Sequence, residues 1–247
     1  MSDPVCAFGL CDGSGFLFDE EAGEARECRC RPQLIARARA RSLSAVIPRR
    51  FQGVGFDRPP VTDINPQIVR EVRRYVDKLE SNLDAGRGLW FMGDVGTGKT
   101  TLAMLVSKSA LDAGRSVAIY SLPRLLAEIR TTFDDSSDRS YVGLLDKLSS
   151  VDLLHIDDVG AEKSSDWVLE QLYSIVNARY EDERAIVLTT NLDPEALAEQ
   201  ITPRTVSRLM EICGDPLPLL GQDHRRPGVD EARLPEPLAG PPLRSTG

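Results

Sequence analysis

No apolar run among these 247 residues approaches the roughly 18 that a membrane span needs, and Met1 to Leu10 lacks the basic start and apolar stretch of a signal peptide. Membrane insertion and export are therefore not expected, and a cytoplasmic location is. Net positive charge is missing as well. At −8, with 30 Lys and Arg against 38 Asp and Glu, the chain is not one that coats nucleic acid by bulk attraction, so any such contact must come from a local basic stripe. Acids are absent from residues 28 to 50, which carry Arg29, Arg31, Arg37, Arg39, Arg41, Arg49 and Arg50, whereas residues 1 to 27 hold seven acids and one base. From Pro216 onward large apolar side chains become scarce while Pro and Gly recur, which favours an extended tail; residues 227–247 are read as disordered. The whole chain is 41% hydrophobic, and it is long enough for one α/β domain beside a small appendage.

The strongest positive signal is Gly93-Asp94-Val95-Gly96-Thr97-Gly98-Lys99-Thr100, which meets the phosphate-loop pattern G-x-x-x-x-G-K-[ST] at every fixed position. Its flanks suit the mechanism. Leu89 to Met92 is an apolar run fit for a buried strand, and Thr101 to Val106 begins a helical pattern. Glycines let the loop curl so that its N–H groups face phosphates, and the helix N-terminus adds to the field. Lys99 would supply a point charge and Thr100 a magnesium ligand, with Thr101 completing the binding set.

A second acidic site is expected at the end of Val151-Asp152-Leu153-Leu154-His155-Ile156-Asp157-Asp158, because ligands of parallel α/β sheets sit at the carboxyl ends of strands. Asp157 is taken as the magnesium-side carboxylate and Asp158 as the group that polarises the attacking water. His155 is expected to be a buried strand residue pointing away from the Asp157 face. Arg184 to Asn191 forms a third strand, and Asn191 stands where an amide would orient that water.

These elements, with Leu172-Tyr173-Ser174-Ile175-Val176-Asn177-Ala178-Arg179-Tyr180 and the Thr189-Thr190-Asn191 strand end, resemble the AAA+ helicase-loader ATPases of the DnaC/DnaI/IstB group. The resemblance covers roughly residues 45 to 225. It implies an α/β fold, a P-loop three-layer αβα sandwich with a parallel five-stranded sheet, using ATP and Mg2+. The strands are expected near 88–92, 117–121, 151–156, 185–190 and 216–220, and helices near 66–83, 99–113, 122–132, 165–181, 193–200 and 203–213. The implied activity is ATP-dependent loading of a DnaB-type replicative helicase onto single-stranded DNA. Two alternatives stand beside it: an IstB-like transposition helper ATPase, and an adaptor switched by nucleotide with negligible hydrolysis. Many AAA+ proteins have Glu where this chain has Asp158, so slow hydrolysis is expected. Thr202 to Met210 resembles the segment bearing an arginine that reaches a neighbouring subunit's γ-phosphate, which makes Arg208, with Arg204 next in line, the residue of self-assembly. By the same resemblance Arg225 or Arg226 would be a second sensor, and Arg124, Arg130 and Phe133 would contact single-stranded DNA.

Five cysteines in a chain read as cytoplasmic suggest metal before disulfides. Cys6, Cys11, Cys28 and Cys30 cluster as C-x4-C-x16-C-x-C, with glycine turns between the pairs suited to a hairpin, and four thiolates there would hold Zn2+; unligated thiols are the alternative. The pattern resembles the cysteine knuckle ahead of the ATPase domain in some loaders, where it contacts the helicase. A basic helix from Pro32 to about Val46 follows, and Cys213 stands apart as a core or interface thiol. The expected division is a zinc-knuckle and basic-helix unit over 1–45, the ATPase domain over 46–226 and the tail over 227–247.

Overall fold

A computed structural model describes residues 6, 8–19, 23–32, 34, 47–132, 141–160, 165–221 and 223. Two short strands, β1 (Phe16–Asp19) and β2 (Glu24–Glu27), pair antiparallel in the N-terminal hairpin. The main sheet has five parallel strands: β3 (Leu89–Gly93), β4 (Val117–Ser121), β5 (Leu153–Val159), β6 (Ala185–Thr190) and β7 (Leu217–Leu219). Their spatial order is β4-β5-β6-β3-β7, and every recorded pairing is parallel.

Side-chain alternation splits the interior into two cores. Trp90, Tyr120, Leu154, Ile156, Ile186 and Leu188 face one of them, while Phe91, Val117, Ile119, Leu153, Ala185 and Val187 face the other. A sheet buried on both faces must have helices on both, and it does. Helices α1 (Pro66–Asp77), α2 (Leu79–Asp84) and α3 (Lys99–Asp112) pack on the second core. Helices α4 (Leu122–Thr131), α5 (Tyr141–Ser150), α6 (Asp166–Glu181), α7 (Pro194–Ile201) and α8 (Pro203–Cys213) pack on the first. The three-layer αβα sandwich with a parallel five-stranded sheet is thus the fold of the chain.

Local chemistry fixes the helix starts. Asn65 accepts the Gln67 N–H at 2.9 Å ahead of Pro66, and Asp193 accepts that of Ala196 at 2.8 Å ahead of Pro194; both are side-chain caps followed by a proline that needs no N–H. Thr202 caps α8 in the same way ahead of Pro203, and Ser165 caps α6 through its side chain without a following proline.

Three expectations need correction. The helix near 66–83 is two helices meeting at Lys78. A further helix, α5, follows the Leu122–Thr131 helix, where Leu144 and Leu148, four apart, are buried on the core side. His155 does not point away from Asp157. Residues two apart on a strand share a face, and the ring Nε2 lies 4.0 Å from Asp157 Oδ1. Phe133, Arg225, Arg226, most of the basic helix and the 227–247 tail lie outside the described residues. No described helix is long and apolar enough to cross a membrane.

Candidate functional site

The phosphate-loop sequence lies between β3 and α3 and curls as its glycines allow. Gly93, Gly96 and Gly98 take φ of 131°, 82° and 99°. A β-carbon at Gly98 would strike the Ile64 side chain, and one at Gly93 would strike the Leu219 carbonyl of β7. Lys99 is buried, and its ammonium donates to Gly93 O at 2.8 Å and Asp94 O at 2.6 Å. Thr97 Oγ1 donates to Asp94 O at 2.8 Å, closing the loop from within.

Strands β5 and β6 bring the acids to this loop. Thr100 Oγ1 donates to Asp157 Oδ1 at 3.0 Å, and Thr189 Oγ1 donates to the same oxygen at 2.7 Å. Asp157 is largely buried, its side chain 16% exposed. The β5–β6 register slips between Ile156 and Val159, and within that slip Asp158 adopts a left-handed φ of 58°, its N–H donating to Thr189 Oγ1 at 3.0 Å. Behind the carboxylate, His155 Nδ1 lies 2.9 Å from Ser107 Oγ of α3. Burial pushes the His155 pKa down to about 3, so the ring is neutral and its approach to Asp157 is not an ion pair.

A cavity of about 380 Å3 opens over the loop. Val95, Gly96, Gly98, Lys99, Thr100 and Thr101 line one side of it, Asp158 and Asn191 another, and Arg50, Pro60 and Ile64 a third. The structure therefore gathers the loop, Asp158 and Asn191 about one space, with Asp157 bonded to its Thr100. Sequence reasoning missed the third side. Its signal was faint: Pro60 and Ile64 flank a single 3-10 turn, Val61–Asp63, just ahead of α1. Thr189 was also missed as a site residue, although it sits two positions before Asn191.

Arg208 lies elsewhere. On α8 its Nη1 donates to Tyr173 Oη at 2.6 Å, and its guanidinium sits 4.8 Å from the Tyr173 ring and 5.5 Å from that of Tyr180. Arg204 also covers Tyr173, at 4.7 Å. Neither arginine lines the cavity of its own chain. Arg130 stacks over Trp167 at 4.9 Å, and Arg124 is exposed on α4. Cys213 is half-buried against the core, where its thiol donates to Ile186 O of β6 at 3.4 Å and desolvation raises its pKa.

The sulfurs of Cys6, Cys11, Cys28 and Cys30 lie within 4.8 Å of one another. Cys6 to Cys28 is 3.8 Å and Cys11 to Cys30 is 3.5 Å. Those separations are too long for disulfides, yet a tetrahedral zinc with bonds of about 2.3 Å requires sulfurs about 3.8 Å apart. Backbone N–H groups at Leu10, Cys11 and Phe8 hold the Cys6 thiol down at about 6, against the opposing pull of desolvation. They favour a thiolate at Cys6, whereas burial and the neighbouring cysteines push the Cys30 thiol up to about 12, so it is the spacing of the four sulfurs that speaks for a metal. The donor set fits zinc.

The family described as IstB-like ATP binding protein matches residues 57–205. The replicative helicase loader DnaC of Buchnera aphidicola subsp. Schizaphis graminum is 28% identical over 143 residues, which are 58% of this chain and 57% of that protein. DnaC of Escherichia coli strain K12 is 30% identical over 139 residues, 56% of this chain and 55% of the relative. The chain thus spans little more than half the length of these relatives. In fold it is similar to the crystal structure of the DnaC helicase loader, with a TM-score of 0.57 and 23% identity, covering 71% of this chain and 100% of that one.

Proposed function

The chain belongs to the IstB-like ATP-binding protein family, and on that premise we propose that it is a cytoplasmic ATPase that loads a DnaB-type replicative helicase onto single-stranded DNA. The observation that carries the nucleotide reading is the Thr100–Asp157 bond at 3.0 Å, which joins the phosphate loop to the acidic strand beside a cavity that Asp158 and Asn191 also reach. The names borne by its relatives support the loader reading.

In this reading the N–H groups of residues 93 to 101 and the Lys99 ammonium hold the ATP phosphates. Thr100 and Asp157 hold Mg2+; both recorded bonds to Asp157 fall on Oδ1, which leaves Oδ2 to face a hard cation or its water. The ion supplies neutralising charge. Asp158 accepts a proton from the attacking water and Asn191 orients that water. Asp158 is one methylene shorter than glutamate, so hydrolysis is slow until DNA or the helicase is present. That same shortness favours a second reading, an adaptor that binds ATP as a switch with negligible turnover. Arg50, Pro60 and Ile64 flank the nucleoside. The N-terminal unit, residues 1–45, holds Zn2+ through Cys6, Cys11, Cys28 and Cys30 and docks on the partner, residues 46–226 form the ATPase, and 227–247 trail as an unstructured tail. Arg124 and Arg130 track single-stranded DNA.

Calorimetry with ATP tests the site. Lys99→Ala should abolish binding, because the loop loses its cation, whereas Asp158→Asn should bind normally and turn over at least tenfold more slowly. Equal ATP affinity in wild type and Lys99→Ala would sink the assignment. Turnover that stays at zero with both helicase and single-stranded DNA present would decide for the adaptor.

A further inference from the structure

Consecutive residues of a regular strand turn to opposite faces of the sheet, so Asp157, bonded to Thr100 of the phosphate loop, and Asp158, which lines the cavity over that loop, should not both serve one site. They do so because β5 departs from regular pairing at this point. The β5–β6 ladder pairs Ile156 with Leu188 and resumes only at Val159 with Thr190. Between those pairs two residues of β5 face one residue of β6, and that residue is Thr189. Asp158 there holds a left-handed φ of 58°, a conformation that side-chain-bearing residues seldom adopt unless their surroundings hold them in it. Something must hold it.

We propose that the Thr189 hydroxyl positions both carboxylates of the site, fixing metal affinity through Asp157 and turnover through the backbone of Asp158. The proposal rests on the nucleotide-hydrolysis reading given above. Thr189 is fully buried in β6. Its one proton goes to Asp157 Oδ1 at 2.7 Å, and its oxygen accepts the Asp158 N–H at 3.0 Å. A ladder carbonyl could take that N–H but could give nothing to Asp157. A hydroxyl does both, and a β-branched residue suits the strand interior. Asp157 Oδ1 thereby receives two hydroxyl protons, from Thr100 and Thr189, which sets the plane of the carboxylate before any cation arrives. Thr189 does not line the cavity; it acts through the two acids and is a positioning residue.

The test uses Thr189→Val, which keeps the shape and removes the hydroxyl, and Thr189→Ser, which keeps the hydroxyl. Affinity for ATP is measured with Mg2+ and with chelator, and turnover beside it. Thr189→Val should bind ATP in chelator within about threefold of wild type, since the phosphate loop is untouched. It should lose about tenfold or more of the affinity gained with Mg2+, and at least as much turnover, as expected when a hydrogen bond to a buried charge is removed. Thr189→Ser should recover most of both. A Thr189→Val protein with wild-type Mg2+ dependence and turnover would overturn the proposal, as would a folded Thr189→Ser as defective as Thr189→Val. If Thr189→Val fails to fold by circular dichroism, Thr189→Ala replaces it, and failure of both means that the hydroxyl serves the core alone and the proposal falls. Normal ATP binding by Lys99→Ala would instead bring down the nucleotide reading, whatever Thr189 does.

Discussion

Arg179 shows how far a residue's role can stand from its appearance in a sequence. It is fully buried on α6, and it donates through Nη1 to Leu148 O at 2.5 Å and through Nη2 to Val151 O and Ala185 O at 3.0 and 2.7 Å. One guanidinium thus gathers carbonyls from the end of α5, the approach to β5 and the start of β6. Burial pushes its pKa down to about 9, which leaves it charged at neutral pH. Arg179→Met should orphan those carbonyls and cost about 3 kcal/mol; for a chain of this size that lowers Tm by roughly 10 °C. Scanning calorimetry checks this, and ATP affinity well below Tm should be unchanged. Gly98 is the converse case, legible at once. With φ of 99° and Ile64 where its β-carbon would stand, Gly98→Ala should weaken ATP binding about tenfold or more while the fold persists. The glycine was readable because its constraint is local. Arg179, although part of a recognisable Asn-x-Arg-Tyr string, was not, because two of the carbonyls that use it, Leu148 O and Val151 O, lie 31 and 28 residues away in sequence.

At the scale of the element, strands and helices whose patterns are local were readable from the chain, β3 and α3 above all, since strand, loop and helix follow one another without a break. The split at Lys78 was not, because Tyr75 O and Val76 O accept its backbone N–H only once α1 and α2 have diverged. Nor was the slip in β5, which is defined by its partner β6. The N-terminal hairpin depends on something other than its strands. Four-residue strands β1 and β2 form a two-stranded sheet, marginal alone in water, and Phe18 is 69% exposed on it. Under the zinc reading, purified protein should carry about one zinc per chain, lost when Cys28 and Cys30 are both changed to Ser, since two remaining thiolates cannot close a structural site. Amide exchange should then show residues 8–32 unprotected while β3 to β6 keep their protection. Elemental analysis that finds no zinc in freshly purified protein would overturn this.

Across the whole molecule, the place of Arg208 matters most. It sits with Arg204 on the tyrosine-bearing α6–α8 face and does not line its own chain's cavity, as a residue serving a neighbour would. Under the self-assembly reading, Arg208→Ala should bind ATP almost normally yet lose turnover stimulated by single-stranded DNA, by about a thousandfold where arginine contributes as in other phosphoryl-transfer systems. Mixing Arg208→Ala with Lys99→Ala should restore activity, because one protein's intact site can border the other's arginine. A mixture that co-assembles by light scattering but stays inactive would shift the role to Arg204. One further property of the molecule follows from β7. That strand meets β3 through three residues, Leu219 O accepts the Asp94 N–H at 3.2 Å, and Asp223 packs on Gly96. The phosphate loop is therefore braced from behind by chain whose next side chain, Leu220, is 72% exposed. A fluorophore carried at residue 220 would stand outside the nucleotide cavity, yet on the same hydrogen-bonded rib as the loop, and its emission would follow ATP arriving and leaving in real time.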